Sequence, residues 1–239
     1  MTNINPNSTI LQKIAALDIN IDVSKQLKLI EQIVESGELA QKALLDLLVD
    51  RCMMENKEVD NLDGLIYEFL YFRSFANIKK KLNSYFCLGL IDLNHSFKLN
   101  YQPLQNLLIV HDFQEADKLT QSYLRSLAGL DKNSQRKWLY FTDILAIPSE
   151  DLYIIDKLWR LYSRGKFGFS IQRSIWLSHN CSWEKFWFTI GWKNNGILCR
   201  YPSDFIWNID APSGHLPLFN QLRGVQVISA LFNHSVWNK

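Results

Sequence analysis

Residues 149–177 read SEDLYIIDKLWRLYSRGKFGFSIQRSIWL, and their hydrophobic spacing predicts the fold of the second half of the chain. Apolar side chains recur there at every third or fourth position: Leu152, Ile155, Trp159 and Tyr162. This spacing places them on one face of an α-helix. Ser149 is expected to cap the helix at its start, and Gly165 is expected to close it. The stretch therefore predicts a helical domain.

The residues before this stretch predict three more helices. Pro103 suits the first turn of one helix. Asp112 is expected to cap the next helix, which ends at Gly129. Ser134 is expected to cap a third helix over residues 135–145.

The residues after this stretch continue the pattern. Ser170 and Ser182 are candidates for the starts of two short helices. A polar turn over residues 194–196 lies between two short extended runs. A last helix is expected to carry the apolar residues from Leu218 to Phe232.

The N-terminal part repeats the helical spacing with a different composition. Two apolar stripes are Val23, Leu27, Ile30 and Val34, and then Leu62, Leu65, Ile66, Phe69 and Phe72. All eight tryptophans lie between Trp138 and Trp237, and residues 1–110 carry a formal charge of −2 against +4 for the remainder. We therefore predict a helical bundle or helical-repeat domain over residues 1–85, a linker over 86–103 and a second domain over 104–239.

Composition excludes several classes of protein. Of the 239 residues, 47% are hydrophobic and 21% are charged, which is enough apolar material for a packed core. The formal charge of +2 is too small for binding driven by nucleic-acid phosphates. No apolar run approaches the length of a transmembrane helix, and the N-terminus lacks the pattern of a signal or transit peptide. The four cysteines form no CxxC pair, which argues against a disulfide scaffold or a zinc ribbon.

No catalytic motif stands out. Gly165 and the lysine after it precede Phe167, whereas a phosphate-binding loop needs Ser or Thr at that position. The sequence contains neither a G-x-S-x-G nor an H-E-x-x-H motif. His179 and Cys181 have no second pair of metal ligands at usable spacing. An enzyme is therefore the least favoured interpretation.

Aromatic residues are dense between positions 159 and 207. They include Trp159, Phe167, Phe169, Trp176, Trp183, Trp187, Trp192, Tyr201, Phe205 and Trp207. Most of them are expected to form the core, because large rings dominate buried surface. The alternative interpretation is a binding cleft for a flat apolar ligand that carries carboxylate groups. Arg223 is the candidate cation that would pair with such a carboxylate.

Three blocks carry a resemblance: the stretch quoted above, IGWK at 190–193 and APSGHLPLFNQLRGV at 211–225. In this order they resemble the genomes-uncoupled, number-four family, which are porphyrin-binding regulators of magnesium chelatase in oxygenic phototrophs. The resemblance covers the chain from about Leu104 to the end. It implies an all-α fold in which the N-terminal helices form an accessory domain. It also implies a second domain shaped like a cupped hand whose concave apolar face binds tetrapyrroles.

The predicted porphyrin-binding residues are Phe141, Ile144, Trp159, Phe167, Tyr201, Leu216, Arg223 and Gln226. Phe141 matches an aromatic position of the family with Ile144 beside it, and Arg223 matches a family arginine near the binding loops. The chain departs from cyanobacterial members at two positions. Gln226 stands where they have a second arginine, and Tyr201 stands where they have a tryptophan over the cleft.

The resemblance implies a non-catalytic activator of chlorophyll synthesis. Its ligands would be protoporphyrin IX and Mg-protoporphyrin IX, with no catalytic cofactor and no protein metal site. Its partner would be the large, porphyrin-binding H subunit of magnesium chelatase, and no nucleic acid is expected. The expected location is the plastid stroma or the cyanobacterial cytoplasm, peripheral to photosynthetic membranes. The alternative is an interaction or signalling module that kept the fold and lost the ligand.

Overall fold

The computed structural model describes residues 6–19, 22–54, 57–93, 97–130, 136, 138–219 and 225–238. It divides the chain into two compact units, Met1–Asp92 and Leu93–Lys239. Both units are helical in their described residues, apart from one short hairpin, which confirms the all-α class. The division between the units falls at residue 92, within the stretch predicted as a linker. The domain limits predicted from the sequence stay a prediction.

The first unit is a helical bundle. Its described elements are α1 (Pro6–Ile19), α2 (Val23–Glu35), α3 (Glu38–Val49), a π-helical turn (Asp50–Met54), α4 (Asn61–Arg73) and α5 (Ala76–Tyr85). The predicted stripes supply its core, since Ile30, Leu65 and Ile66 are fully buried. Helix α2 packs on α4, and α3 packs on both α4 and α5. The helical spacing of the N-terminal sequence is therefore satisfied by helix-on-helix packing.

A buried arginine joins three segments of this unit. The Arg51 guanidinium pairs with Asp18 of α1 and with Asp60 and Asp63 at the start of α4. Its Nε donates to Asp63 at 2.6 Å, and the Asp63 side chain is only 1% exposed. Asp60 and Asp63 also form a capping box for α4, in which each side chain accepts a hydrogen bond from the other's backbone N–H. One guanidinium thus holds α1 against the start of α4.

The second unit contains seven further α-helices in its described residues. They are α6 (Gln102–Ile109), α7 (Phe113–Leu127), α8 (Phe141–Ile144), α9 (Ser149–Leu161), α10 (Phe169–Ser178), α11 (Trp183–Thr189) and α12 (Gln226–Phe232). Strands β1 (Lys193–Asn194) and β2 (Ile197–Leu198) pair antiparallel between α11 and a long loop. A 3₁₀ turn, Ser235–Asn238, follows α12 and packs on α9.

The core of the second unit is built around the quoted stretch. Trp159 of α9 is fully buried, and its Nε1 donates to the Thr120 hydroxyl of α7 at 3.0 Å. Its ring stacks on Phe113, and Phe167 meets Phe113 edge to face at 5.2 Å between ring centroids. Tyr101 is also buried, and its hydroxyl donates to Asp151 of α9 at 2.6 Å. The aromatic density of the sequence is therefore largely core packing, as burial preferences favour.

Several predicted helix limits are confirmed. Pro103 lies in the first turn of α6, and Asp112 caps α7 by accepting from the Glu115 backbone N–H. Ser182 directly precedes α11, and the polar turn over 194–196 connects the two strands. These features depend on local side-chain chemistry, which a sequence carries directly.

Other limits differ from the prediction. Helix α9 begins at Ser149 itself, after Pro148, so Ser149 is the first helical residue rather than the cap. Helix α10 starts at Phe169, one residue before the predicted start at Ser170. The Asp156 side chain of α9 accepts the Ser170 backbone N–H at 2.8 Å and so caps this helix. The long helix predicted over 135–145 is wrong in its described part, since only Phe141–Ile144 is helical there.

The last helix is also shorter than predicted. It begins at Gln226, and Leu218 lies before it in the loop, where its backbone is held by side chains of α7. Ser134 and Arg223 lie outside the described residues. In the described part of the chain, no helix is long and apolar enough to cross a membrane. The same residues contain no group of three His, Cys, Asp or Glu side chains suited to a metal ion.

Candidate ligand-binding groove

An open groove lies where the short helix α8 packs against α12. Its lining residues are Phe141, Gln226, Ser229, Ala230 and Asn233, and its volume is about 390 Å³. This volume lies within the range of ordinary small-molecule sites. The groove is the feature of the second unit that brings predicted site residues together, because it contains both Phe141 and Gln226.

The conformation of α8 is set by a local ion pair. The Asp143 carboxylate accepts the Tyr140 backbone N–H at 2.6 Å and so caps the four-residue helix at its start. Arg136 donates to both oxygens of Asp143, at 3.1 Å for one of them, and its guanidinium lies over the Tyr140 ring. These hydrogen bonds from Arg136 hold the pKa of Asp143 below its usual range. A helix this short needs such anchoring, because one turn alone does not stabilise itself.

Helix α8 presents one side to the core and the other to the groove. Ile144 is fully buried, whereas the Phe141 ring is 49% exposed. Tyr140 and Leu145 on either side are also exposed, so the helix carries a small apolar surface. Exposed large rings of this kind mark interaction sites when they lie together beside a groove.

Helix α12 supplies the other wall. Its buried side consists of Val227, Ile228, Leu231 and Phe232. Its groove side consists of Gln226, Ser229, Ala230 and Asn233, which recur at helical spacing. Ser229 and Ala230 are small, and they line the groove together with Phe141. The side chains of Gln226 and Asn233 add neutral hydrogen-bonding groups at the two ends of this wall.

Two side chains of α7 form hydrogen bonds with the backbone of the segment that leads to α12. The Leu218 backbone N–H donates to the buried Asp117 carboxylate at 2.7 Å, and the Gln121 amide donates to the Leu218 carbonyl oxygen. Burial raises the pKa of Asp117 to about 7, although the hydrogen bonds from Leu218 and Gln121 act in the opposite direction. Two successive turns of α7 therefore fix the backbone just before the segment that carries Arg223.

The same loop is fixed from α10 and from the residues on either side of the hairpin. The Gln172 amide donates to the Gly214 and Pro217 carbonyl oxygens at 2.9 and 2.7 Å. His215 is buried, and its Nδ1 lies 2.7 Å from the Ile190 carbonyl oxygen while its Nε2 accepts the Ile206 backbone N–H. Burial lowers the pKa of His215, so the ring is neutral at physiological pH. These hydrogen bonds thus hold residues 214–217 of the loop in place.

Tyr201 lies on the loop after the hairpin and does not line the groove. Its ring is 50% exposed and meets Trp207 edge to face at 5.9 Å between centroids. Trp207 in turn donates its indole N–H to the Pro202 carbonyl oxygen at 3.0 Å. Tyr201, the residue at the position predicted to lie over the cleft, is therefore exposed on a loop outside the groove, where its ring packs against Trp207.

The predicted site residues thus lie in different parts of the structure, and Tyr201, on the loop after the hairpin, is not among those that line the groove. Phe141 and Gln226 line the groove, and Ile144 anchors α8 beneath it. Trp159, Phe167 and Leu216 are fully buried in the core and have no surface toward the groove. The binding roles predicted for these residues stay predictions, as does that of Arg223.

Three groove residues were not predicted from the sequence: Ser229, Ala230 and Asn233. A signal for them existed, because they follow Gln226 at helical intervals on the side opposite the apolar stripe. The sequence interpretation placed α12 in a longer helix and assigned no role to these three residues. Their role depends on α8, which is distant in sequence and packs against that face.

The helical fold and the groove beside its last helix define an all-α protein with an open candidate ligand site. Residues 94–235 match the profile of the GUN4-like family. The chain is 48% identical over 216 residues to the uncharacterized protein ycf53 of Pyropia yezoensis, which covers 90% of this chain and 91% of that protein. The chain therefore belongs to the GUN4-like family.

Two further relatives and a solved structure agree with this assignment. The Ycf53-like protein of Synechocystis sp. is 40% identical over 215 residues, covering 90% of this chain and 91% of its own. The chloroplastic tetrapyrrole-binding protein of Arabidopsis thaliana is 34% identical over 143 residues, covering 56% of this chain and 54% of its own. The solved structure of GUN4 from Chlamydomonas reinhardtii superposes with a TM-score of 0.57 at 35% identity, covering 62% of this chain and 95% of that one.

Proposed function

We propose that this protein binds protoporphyrin IX and Mg-protoporphyrin IX in the groove between α8 and α12 and thereby activates magnesium chelatase. Membership of the GUN4-like family and a relative named as a tetrapyrrole-binding protein support porphyrin as the ligand class. The single observation that carries the location is that the half-exposed Phe141 lines one groove together with the small side chains of α12.

The chemistry of the groove suits a flat apolar disc. The Phe141 ring offers a stacking face, and Ala230 offers a surface close to the helix backbone. Each 100 Å² of apolar surface covered contributes about 2.5 kcal/mol. Because the groove is open, it would cover part of the macrocycle and leave the rest accessible to a partner protein.

The carboxylates of the ligand need hydrogen-bond donors at the rim. Arg223 is our candidate for one of them, since an arginine contact with a carboxylate contributes about 1.5–3 kcal/mol. Gln226 lines the groove where cyanobacterial members of the family have an arginine, so here an amide N–H would replace a charged donor. This change predicts weaker carboxylate binding without loss of the site.

The proposed role is regulatory and not catalytic. The partner would be the large H subunit of magnesium chelatase, which would receive or sense the porphyrin while it is held in the open groove. The relatives from a Pyropia species, Synechocystis and the Arabidopsis chloroplast support a plastid or cyanobacterial setting. Within it we place the protein in the plastid stroma or cyanobacterial cytoplasm, peripheral to photosynthetic membranes.

An equilibrium titration tests the ligand and the location together. The full chain is titrated with protoporphyrin IX, Mg-protoporphyrin IX and haem while tryptophan fluorescence is followed. We expect saturable quenching by both chlorophyll precursors, and about tenfold weaker binding for Phe141→Ala and for Arg223→Ala. Phe188→Ala is the matched control, because Phe188 is 73% exposed on α11 and does not line the groove.

Two outcomes contradict parts of this proposal. If Phe141→Ala and Phe188→Ala bind porphyrin equally well, the groove is not the site. If no porphyrin binds with saturation, the chain is an interaction module on the same fold. A separate assay of magnesium chelatase, with its H subunit and with or without this protein, tests the activator role.

A further inference from the structure

A second, polar pocket lies away from the groove, where α9, the start of α10 and the C-terminal 3₁₀ turn meet. Its lining residues are Tyr153, Asp156, Arg160, Ser170, Arg173, Val236 and Trp237, and its volume is about 230 Å³. None of them lines the groove between α8 and α12. The pocket contains two guanidinium groups and one carboxylate, so its lining carries an excess positive charge.

The carboxylate in this pocket is fully engaged by the fold. Asp156 accepts from the Ser170 backbone N–H at 2.8 Å, from the Ser170 hydroxyl at 2.7 Å and from Arg160 Nε at 2.9 Å. Its side chain is only 1% exposed. Asp156 therefore caps α10 and orients Arg160, and it has little capacity left to neutralise a second cation.

Both arginines use only part of their donor capacity in the fold. Arg160 donates through Nε to Asp156, and Arg173 donates through Nε to the Phe232 carbonyl oxygen at 2.7 Å. For the terminal nitrogens of either guanidinium, the described residues offer no hydrogen-bond acceptor. Each Nε contact fixes the plane of its guanidinium, which leaves four N–H groups per arginine for an external acceptor.

The walls of the pocket narrow the ligand class. Two arginines against one carboxylate leave a net charge of +1, which a monoanionic carboxylate balances and a phosphate dianion exceeds. Val236 and the Trp237 and Tyr153 rings provide apolar surface beside the guanidinium groups. The volume of about 230 Å³ suits a small organic acid and is too small for a tetrapyrrole.

We propose that Arg160 and Arg173 form a binding site for the carboxylate of a small apolar organic acid. The guanidinium of Arg173 makes the bidentate contact, and Arg160, held by Asp156, supplies the second cation. The carboxylate belongs either to a free acid or to the C-terminal residue of a peptide, since both present the same group beside an apolar side chain.

The first test uses the full chain without substitution. Phenylacetate, phenylacetamide and inorganic phosphate are titrated separately while the arginine Nε–Hε and Trp237 indole N–H signals are followed by NMR. We expect saturable shifts of the Arg160, Arg173 and Trp237 signals with phenylacetate, at least about tenfold weaker binding of its neutral amide, and weaker binding of phosphate. Equal binding of acid and amide, tighter binding of phosphate, or no saturable shift would overturn the proposal.

Variants then locate the site. Arg173→Gln should weaken phenylacetate binding about tenfold, and Arg173→Lys should weaken it less, because lysine keeps the charge and loses the planar fork. Lys185→Gln is the matched control: it removes an exposed cation from α11 that does not line the pocket, and should change binding less than twofold, about the precision of such a titration. Unchanged binding in both Arg173 variants would overturn the assignment.

Two further measurements separate the sources and the two sites. A tripeptide ending in Phe is compared with its C-terminal amide: tighter binding of the peptide acid than of phenylacetate identifies a chain terminus as the source, and the reverse identifies a free acid. Protoporphyrin binding is measured in Arg173→Lys, where we expect no change because the two sites share no residue. Parallel loss of both ligands would show that Arg173 acts on the fold rather than on the acid.

Discussion

The buried Asp117 carboxyl is a residue whose charge state matters for the backbone near the groove. It accepts the Leu218 N–H, and burial raises its pKa to about 7. Between about pH 4 and pH 7, the folded chain therefore keeps a proton on this carboxyl that the unfolded chain releases. Its contribution to the free energy of unfolding is largest at acid pH and falls as pH rises through this window.

We expect Asp117→Asn to remove that pH dependence. The amide oxygen of asparagine can still accept the Leu218 N–H, and asparagine carries no charge to bury. Measured by urea unfolding, the variant should gain stability relative to the original chain as pH rises from about 5 to about 8, by a few kcal/mol at most. Gln121→Ala is the control, since it removes the neighbouring clamp without removing a titratable group. Parallel pH profiles for Asp117→Asn and the original chain would contradict the pKa assignment.

In the first unit, the buried Arg51 is a charged residue whose contacts contribute to stability. Arg51→Ala would leave the buried Asp63 carboxylate without its partner. We expect a loss of about 3–5 kcal/mol in the stability of this unit, because an unpaired buried charge is costly. Arg73→Ala is the control: its partner is Glu31, both side chains are about half exposed, and such a pair contributes at most about 1 kcal/mol. Thermal unfolding followed by circular dichroism compares the two variants, and equal losses would show that Arg51 is no more important than a surface arginine.

At the scale of elements, the short helix α8 shows how an ion pair positions a proposed binding residue. Asp143 caps α8 and is held by Arg136, while Phe141 at its first position faces the groove. We expect Asp143→Ala to weaken porphyrin binding several-fold through loss of the Phe141 orientation, and to lower global stability by about 1 kcal/mol or less. Porphyrin titration and urea unfolding measure the two effects. Asp112→Ala removes the cap of α7 instead, so it should lower stability without weakening binding to the same extent.

The elements also show which features the sequence could predict. Helices α2, α4, α7 and α9 follow from apolar spacing, and α7 also from its cap, because these signals act between residues that are close in the chain. The interruption before α8 was missed, since the sequence interpretation continued one helix from a Ser134 cap, whereas the break depends on side-chain contacts of Arg136 and Asp143. The groove side of α12 was missed for a similar reason. Its neighbour α8 is far away in sequence, and only packing brings the two together.

At the scale of the whole molecule, the division after residue 92 gives one position at which to truncate the chain, within the linker predicted over residues 86–103. A cut near Asn100 would remove Phe97, which packs edge to face on Tyr101, and Lys98, whose backbone N–H donates to Asp151. Residues 93–239 keep these contacts, and they have their own buried core. We expect this fragment to unfold cooperatively and to bind protoporphyrin with the affinity of the full chain within about twofold.

The comparison of two fragments tests this expectation. A fragment of residues 101–239 should be less stable than residues 93–239, because Asp151 loses one of its donors. Calorimetry measures the stabilities, and fluorescence titration measures the affinities. If residues 93–239 bind porphyrin much more weakly than the full chain, the first unit contributes to ligand binding.

The hydrogen bonds of the neutral His215 ring decide whether this side chain is available as a metal ligand. Its Nδ1 is committed to the Ile190 carbonyl oxygen and its Nε2 to the Ile206 N–H. His215 could serve as a metal ligand only if one of these backbone contacts were broken, so in this conformation neither of its ring nitrogens is available for coordination. At the proposed groove, selection among tetrapyrroles would then depend on the shape and the carboxylates of the ligand, since none of the residues that line the groove is a histidine.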